Sequence, residues 1–121
     1  MSKMLQLQDT FMGNVAKLIV FAQSNGYTLS AGELYRTPEQ QAIYLKTGRS
    51  KTSKSLHLQR LAIDLNIFKD GGLCTRDQSI PLGNYWESLN PNNSWGGRGK
   101  SIVDAPHFSM GVDSPEWSRA T

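Results

Sequence analysis

The chain has 121 residues, of which 38% are hydrophobic and 19% charged, a balance that excludes a disordered chain and predicts one globular domain, residues 1–121. No apolar run approaches the roughly 20 residues of a membrane span, and the N-terminus lacks a signal peptide's apolar core, so we expect cytoplasmic synthesis and no stable membrane insertion. The net charge of +3 is too small to indicate a class of binding partner, and a single cysteine cannot form an internal disulfide.

The first predicted element is an amphipathic helix. Apolar residues recur at spacings of three and four between residues 5 and 24, a pattern that places one helix face against a core. Asn25 and Gly26 follow, and glycine suits the left-handed cap that ends a helix. Residues 27–35 then read as a short strand or extended segment.

A second helix is predicted to start at Pro38. Thr37 precedes it as a suitable N-cap, and proline is favoured at the first helical position, so the helix should run to about Lys46. Arg36 then lies just before a helix N-terminus, where its side chain can cross a cleft. Residues 48–55 follow as a basic, hydroxyl-rich loop, for which a solvated connector and a mobile lid are both open interpretations.

Residues 61–68 are predicted to form a core strand. They are rich in apolar and β-branched side chains, and a hairpin-turn signal follows at residues 70–72. In such a strand Asp64 shares one face with Ala62 and Asn66 and has apolar neighbours on both sides. A buried carboxylate without a partner is costly, so Asp64 needs a cation or hydrogen-bond donors.

The last part of the chain alternates short elements with turns. Residues 73–82 are predicted to be a polar segment that runs back along the preceding strand, as a second hairpin arm would. Residues 82–89 are predicted to form a short helix, and residues 90–100 a turn-rich loop that contains Trp95. Residues 104–110 carry a second group of polar, chemically active side chains. The whole pattern predicts an α+β fold in which helices pack on a small antiparallel sheet.

Two histidines and an aspartate form a candidate metal site. His57 and His107 are the only histidines in the chain, and each lies beside an apolar run with an aspartate at short spacing. Zinc accepts imidazole and carboxylate ligands, and catalytic zinc sites keep three protein ligands with one open position. His57, Asp64 and His107 supply that number. Asp104 adds a carboxylate that can activate water. The spacing is not a common short metal motif, so the residues alone predict a plausible site without naming its reaction.

The order of these residues resembles one family of zinc peptidases. Ser55, His57 and Asp64 form a Ser-x-His-x6-Asp pattern, and Asp104-x-x-His107 follows it. Both patterns resemble the family that contains VanX- and VanY-type D-Ala-D-Ala peptidases and related phage endolysins. The residue three positions before the final histidine is Asp, which resembles the endolysin endopeptidases more than the VanX-type dipeptidases.

Two further motifs extend the resemblance to about residues 27–110. The segment from Tyr35 to Gln41 resembles the Tyr-Arg-Ser-x-x-x-Gln segment of the family, and Trp95-Gly96-Gly97 resembles the Trp-Gly-Gly that precedes its last motif. Arg60 departs from the family pattern, because glycine is usual at that position between the first two ligands.

The resemblance implies a zinc peptidase with its Zn²⁺ in a groove on the sheet, bound by His57, Asp64 and His107. Asp104 would then be the general base. Arg36 would stabilise the oxyanion or hold the substrate carbonyl, with a surface or ion-paired arginine as the alternative.

Three further residues are candidate substrate contacts. Ser55 would hydrogen-bond the substrate peptide or cap a turn. Gln41 would bind substrate or play a structural role. Trp95 would line the cleft, because its loop is rich in glycine.

The implied function is cleavage of peptidoglycan stem peptides by a monomeric phage lysis enzyme. Such an enzyme is made in the host cytoplasm and acts on the periplasmic cell wall after its release. An L-Ala–D-Glu endopeptidase is the first interpretation, and a D,D-carboxypeptidase or dipeptidase is the second. A zinc-bearing binding module is an alternative from another class, but it has no need of Asp104 as a base. We do not expect nucleic-acid binding, which only the pI and the basic loop suggest.

Overall fold

The computed structural model describes residues 1–48, 55–100 and 103–111. The described chain contains three α-helices and a small antiparallel sheet. The helices are α1 (Lys3–Ser24), α2 (Pro38–Lys46) and α3 (Ile80–Leu89). The strands are β1 (Thr28–Ala31), β2 (Ala62–Lys69), β3 (Gly72–Leu73), β4 (Asn93–Trp95) and β5 (His107–Met110).

Helix α1 begins and ends as its sequence predicts. The side chain of Ser2 accepts a hydrogen bond from the Leu5 amide at the N-terminus, and Gly26 follows the helix with a φ of 85°. Its buried face carries apolar side chains at helical spacing, so burial rather than intrinsic propensity holds this helix on the sheet. These side chains are Phe11, Val15, Leu18 and Ala22.

Strand β2 lies at the centre of the sheet. The strand order is β1-β2-β5-β4, all pairings are antiparallel, and β3 pairs with the distal end of β2 through a tight hairpin. Alternate side chains of β2 point into the core from Ile63 to Ile67. Asp64 and Asn66 occupy the opposite face, which is the face the sequence predicted for them.

Helix α3 packs against the β4 and β5 end of the sheet through Trp86. This side chain is fully buried, and its ring makes edge-to-face contacts with Phe11 and Phe108 at centroid separations of 5.6 and 6.0 Å. The indole Nε1 donates to the carbonyl oxygen of Ser109 at 3.0 Å. Helix α3 is therefore tied directly to β5, the strand that carries His107.

The predicted fold class is confirmed, with helices packed on a small antiparallel sheet. Two strands were not predicted: β4 lies inside the segment read as a turn-rich loop, and β5 lies in the segment identified only by its polar site residues. Residues 49–54 of the basic loop, for which a lid was one interpretation, lie outside the described residues. Within the described ranges, no helix combines the length and apolar character needed to span a membrane.

Candidate metal and active site

The structure brings His57, Asp64 and His107 together. One ligand atom from each residue lies within 4.8 Å of the other two. Asp64 occupies the middle, because its Oδ1 atom is 3.3 Å from His57 Nε2 and 3.2 Å from His107 Nδ1. Residues separated by as many as 50 positions in the sequence therefore converge in the folded chain.

His57 is oriented by main-chain contacts that leave one ring nitrogen available. It lies in a short 3₁₀ turn, Leu56–Gln59, in which the His57 amide donates to the Ser55 side-chain oxygen that caps the turn. Its Nδ1 lies 3.1 Å from the carbonyl oxygen of Leu34, and since a carbonyl only accepts, Nδ1 carries the proton. The Nε2 atom is buried and makes no hydrogen bond within the described chain. Its lone pair is free to bind a metal.

Asp64 is held by an extended segment that precedes Arg36. The Asp64 amide donates to the Glu33 carbonyl oxygen and the Gly32 amide donates to the Asp64 carbonyl oxygen, each at 2.8 Å. A Cβ atom at Gly32 would lie 2.9 Å from that same oxygen, so only glycine permits this approach. Burial alone raises the pKa of Asp64, but hydrogen bonds and positive charge from His107 and His57 outweigh it and leave the pKa well below its usual range.

These donors fit a divalent metal ion such as zinc. Two imidazole nitrogens and one carboxylate oxygen are the ligand set of a three-ligand zinc site with one open position. The Nε2 atom of His57 is buried without a hydrogen bond in the described chain and lies 3.3 Å from Asp64 Oδ1, and a buried lone pair that faces a carboxylate is costly unless a cation or a proton binds there.

Asp104 lies beside these residues at the edge of a groove. Its amide donates to the Gly96 carbonyl oxygen and its own carbonyl accepts from the His107 amide, both at 3.0 Å, so the backbone holds it in a turn just before β5. Burial raises the pKa of Asp104 and the nearby Asp64 charge adds to the effect, although His107, His57 and Arg36 oppose it. Such a carboxylate is a suitable general base or acid.

The groove has a volume of about 340 Å³ and contains both carboxylates. Its walls come from the extended segment, helix α2, strand β2 and the turn before β5. The lining residues are Gly32, Glu33, Arg36, Tyr44, Asp64, Asn66, Asp104 and Pro106. A peptide chain lying here would contact the candidate base, the candidate metal ligand and one guanidinium group.

Arg36 reaches the groove but is heavily engaged by its neighbours. It contacts Glu33 at 2.5 and 2.6 Å, Gln41 at 2.7 Å and Ser55 at 3.3 Å. Its guanidinium carbon lies 4.6 Å from the centre of the Tyr44 ring. Arg36 is therefore ion-paired, which was one of its two sequence interpretations, and it also lines the groove, while its action on a substrate stays a prediction.

Three predicted substrate contacts require correction. Ser55 and Gln41 are only 1% and 2% exposed, and both accept hydrogen bonds from Arg36 instead of reaching the groove. Trp95 is 2% exposed, so it does not line the cleft. A Cβ atom added at Gly83 or Gly97 would overlap its ring, which is therefore packed between two glycine backbones.

Glu33 is the groove residue that sequence reasoning missed. It precedes Arg36 by three positions in an extended segment, where no periodicity rule brings such residues together. The only sequence feature that could have indicated a role for Glu33 was its position close to the Tyr35-Arg36 motif. The structure shows that this carboxylate is the principal partner of Arg36.

Arg60 adopts the backbone conformation that glycine favours. Its φ and ψ are 59° and 35°, at the point where the 3₁₀ turn of His57 ends. This conformation costs a non-glycine residue about 1–2 kcal/mol. Its guanidinium carbon lies 4.1 Å from the centre of the Tyr35 ring, a cation–π contact that offsets part of that cost. Arg60 therefore keeps the loop geometry that glycine would provide.

The fold and the cluster of His57, Asp64 and His107 form a candidate metal site, and sequence comparison shows the class of protein to which the chain belongs. A model of a peptidase family described as D-alanyl-D-alanine carboxypeptidase matches residues 48–110, which is more than half of the chain and contains the three candidate ligands and Asp104. The chain belongs to this family of peptidases.

Two individual proteins are similar to this chain. The L-alanyl-D-glutamate peptidase of Listeria phage A118 is 32% identical over 109 residues, covering 87% of this chain and 38% of the phage protein. The chain thus spans well under half of that relative. The crystal structure of the Serratia marcescens L-Ala D-Glu endopeptidase ChiX matches with a TM-score of 0.64 and 23% identity, covering 81% of this chain and 78% of that one. This second match supports the shared fold.

Proposed function

We propose that this chain is a zinc-dependent endopeptidase that cleaves the L-Ala–D-Glu bond of peptidoglycan stem peptides during phage-induced lysis. The observation that carries the proposal is the convergence of His57, Asp64 and His107 at a groove that is lined by both Asp64 and Asp104. The two similar proteins, named for L-Ala–D-Glu cleavage, support the choice of bond.

Each residue of the groove has a role that its surroundings support. His57, Asp64 and His107 would bind zinc, which supplies a Lewis acid and a water molecule of lowered pKa. The Asp104 carboxylate accepts the proton of the attacking water and passes it to the leaving amine. Arg36 donates a hydrogen bond to the scissile carbonyl oxygen as negative charge develops there. Asp104 also argues against a zinc-bearing binding module, which needs no base.

The biological setting follows from the same relatives. We propose that the protein is made in the host cytoplasm, acts on the cell wall after release, and works as a monomer. The phage origin of one similar peptidase supports the first two statements. Peptidoglycan is the proposed partner, and the groove's volume of about 340 Å³ is within the usual range of ligand pockets.

A D,D-carboxypeptidase is the second candidate function. The matching family model carries that description, which is the specific observation in its favour. The two activities release different products from one substrate. An endopeptidase separates the whole peptide from the glycan-linked L-Ala, whereas a carboxypeptidase removes only the terminal D-Ala.

Mass spectrometry of digested muropeptides tests the proposal. Purified zinc-loaded protein should release peptides that begin with D-Glu, and native mass spectrometry should find one zinc ion per chain. Release of free D-Ala alone would establish the carboxypeptidase instead. Intact muropeptides, with zinc bound, would contradict both activities.

A further inference from the structure

The Arg36 guanidinium is held on three sides by acceptors. Its Nε and Nη2 atoms lie 2.6 and 2.5 Å from Glu33 Oε1, and its Nη1 donates to Gln41 and Ser55. These contacts use all but one of the five N–H groups of a guanidinium. The remaining N–H belongs to Nη2, the nitrogen that Glu33 holds. Glu33 therefore determines how the last donor of Arg36 is aimed.

Glu33 differs from the other partners of Arg36. Gln41 and Ser55 are neutral and buried, whereas Glu33 is charged and has a side chain that is 25% exposed. The guanidinium charge strengthens all of these hydrogen bonds, but only Glu33 adds an opposite charge and contacts two guanidinium nitrogens, so Glu33 makes the strongest of these contacts. Glu33 also lines the groove.

A second partner for Glu33 lies close by, and the distances distinguish the two. Glu33 Oε1 is 3.9 Å from His57 Nδ1, beyond hydrogen-bonding distance, and that nitrogen already lies 3.1 Å from the Leu34 carbonyl oxygen. The Glu33 carboxylate therefore accepts hydrogen bonds from Arg36 and none from the candidate metal ligand His57.

We propose that Glu33 is a positioning residue for the peptidase reaction, acting only through Arg36. By fixing the guanidinium plane, it directs the one N–H that makes no hydrogen bond to a described residue toward the place where the scissile oxygen gains charge. This inference rests on the proposed function for its catalytic meaning. The positioning itself is a property of the Glu33–Arg36 pair and is measurable without any substrate.

The first test is a double-mutant cycle on kcat for muropeptide cleavage. We expect Glu33→Gln to lower kcat about 10-fold with little change in KM, and Arg36→Gln to lower it about 100-fold, because the contact strengthens in the transition state. The double variant should be no slower than Arg36→Gln alone. Additive losses would show that Glu33 acts independently of Arg36 and would overturn the proposal.

Two variants serve as controls for charge and for folding. Glu39→Gln removes an exposed carboxylate six residues away and should leave kcat unchanged. Glu33→Asp keeps the charge and should recover part of the lost kcat, so a folding defect in Glu33→Gln would not decide the outcome. Zinc affinity should stay within about 3-fold in both Glu33 variants, since a partner of a metal-binding histidine typically changes affinity 10–100-fold. A larger loss would assign Glu33 to His57 instead.

An NMR measurement separates this inference from the proposed function. The Nε–H resonance of Arg36 should be resolved and slow to exchange in the zinc-loaded wild-type protein, and Glu33→Gln should remove that protection. If the resonance responds in this way but muropeptides stay intact, the positioning stands and the proposed function fails. A resonance that Glu33→Gln leaves unchanged overturns the positioning, whatever the activity.

Discussion

His107 and Asp64 face each other directly across the antiparallel pairing of β5 with β2, and their Nδ1 and Oδ1 atoms are 3.2 Å apart. Side chains of directly opposed residues project from the same face of a sheet. The sheet register therefore fixes two candidate ligands relative to each other. The third, His57, joins them from the 3₁₀ turn that precedes β2.

Replacing one candidate ligand should remove the effect of zinc on stability. A ligand that binds only the folded state stabilises it by roughly 4 kcal/mol at a thousandfold excess over its Kd. We expect zinc to raise the melting temperature of the wild-type protein but not of Asp64→Asn. Scanning calorimetry with zinc or a chelator measures this. Asp77→Asn, which alters an exposed carboxylate, should respond like the wild type. Equal shifts in wild type and Asp64→Asn would contradict the metal site.

Asp104→Asn should keep zinc and lose cleavage. The amide preserves the shape of the side chain but cannot accept a proton, and general-base catalysis contributes about 100-fold or more. We expect kcat for muropeptides to fall by at least about 100-fold, while native mass spectrometry still finds one zinc ion. Activity within a few-fold of wild type would remove Asp104 from the mechanism.

Two glycine-to-alanine substitutions should have opposite effects. Alanine at Gly83 would overlap the buried Trp95 ring, and overpacking costs about 1–3 kcal/mol. Gly13 lies inside helix α1 with no neighbouring atom within 4 Å of an added Cβ, so alanine should stabilise the protein by about 0.5–1 kcal/mol. Denaturant unfolding measures both. Destabilisation by Gly13→Ala, or tolerance of Gly83→Ala, would contradict these packing assignments.

Arg60→Ala should be less stable than Arg60→Gly by about 1 kcal/mol. Both variants lose the contact with Tyr35, but only glycine adopts the positive φ without strain. Lys17, exposed on helix α1, provides the control, because there alanine should be more stable than glycine by a similar amount. The free energy of unfolding in urea gives both comparisons. The same order at the two positions would rule out left-handed strain at Arg60.

Acid should destabilise the metal-free protein through Asp64. Because its pKa is lower in the folded state than in the unfolded chain, the unfolded chain takes up a proton first as the pH falls. The stabilisation is therefore present above about pH 4 and lost progressively below it. Unfolding of chelated wild type and chelated Asp64→Asn across this range should show a steeper loss in the wild type. Parallel curves would mean that the imidazoles do not stabilise the carboxylate.

Periodicity was sufficient to predict the elements with regular packing. Helix α1 and strand β2 bury the faces that their apolar spacing indicates, and the position of Asp64 on the opposite face of β2 follows from the same alternation. Strand β4 was missed because it has only three residues, set among Asn, Pro and Gly. A strand of that length is defined by its partner β5 and has no periodicity of its own.

The surroundings of Arg36 and Trp95 could not be predicted, because they are formed by segments that are distant in the sequence. Trp95 looked accessible because glycines follow it in the sequence, yet Gly97 and Gly83 allow close packing against its ring. Glu33 and Ser55 meet at one guanidinium only in the folded chain. Motif order identified the candidate ligands, but only the fold shows which polar residues reach the groove.

The extended segment from Gly32 to Arg36 holds His57 and Asp64 almost entirely through main-chain groups. The amides of Gly32 and Arg36 donate to the carbonyl oxygens of Asp64 and His57, respectively. The carbonyl oxygens of Glu33 and Leu34 accept from the Asp64 amide and from the His57 ring. Peptide groups are common to every residue type, so the side chains of Leu34 and Tyr35 can change while the candidate metal site keeps its shape. Evolution or an engineer can therefore alter the exposed surface beside the groove at these two positions, whereas Gly32, Glu33 and Arg36 are fixed by their own contacts.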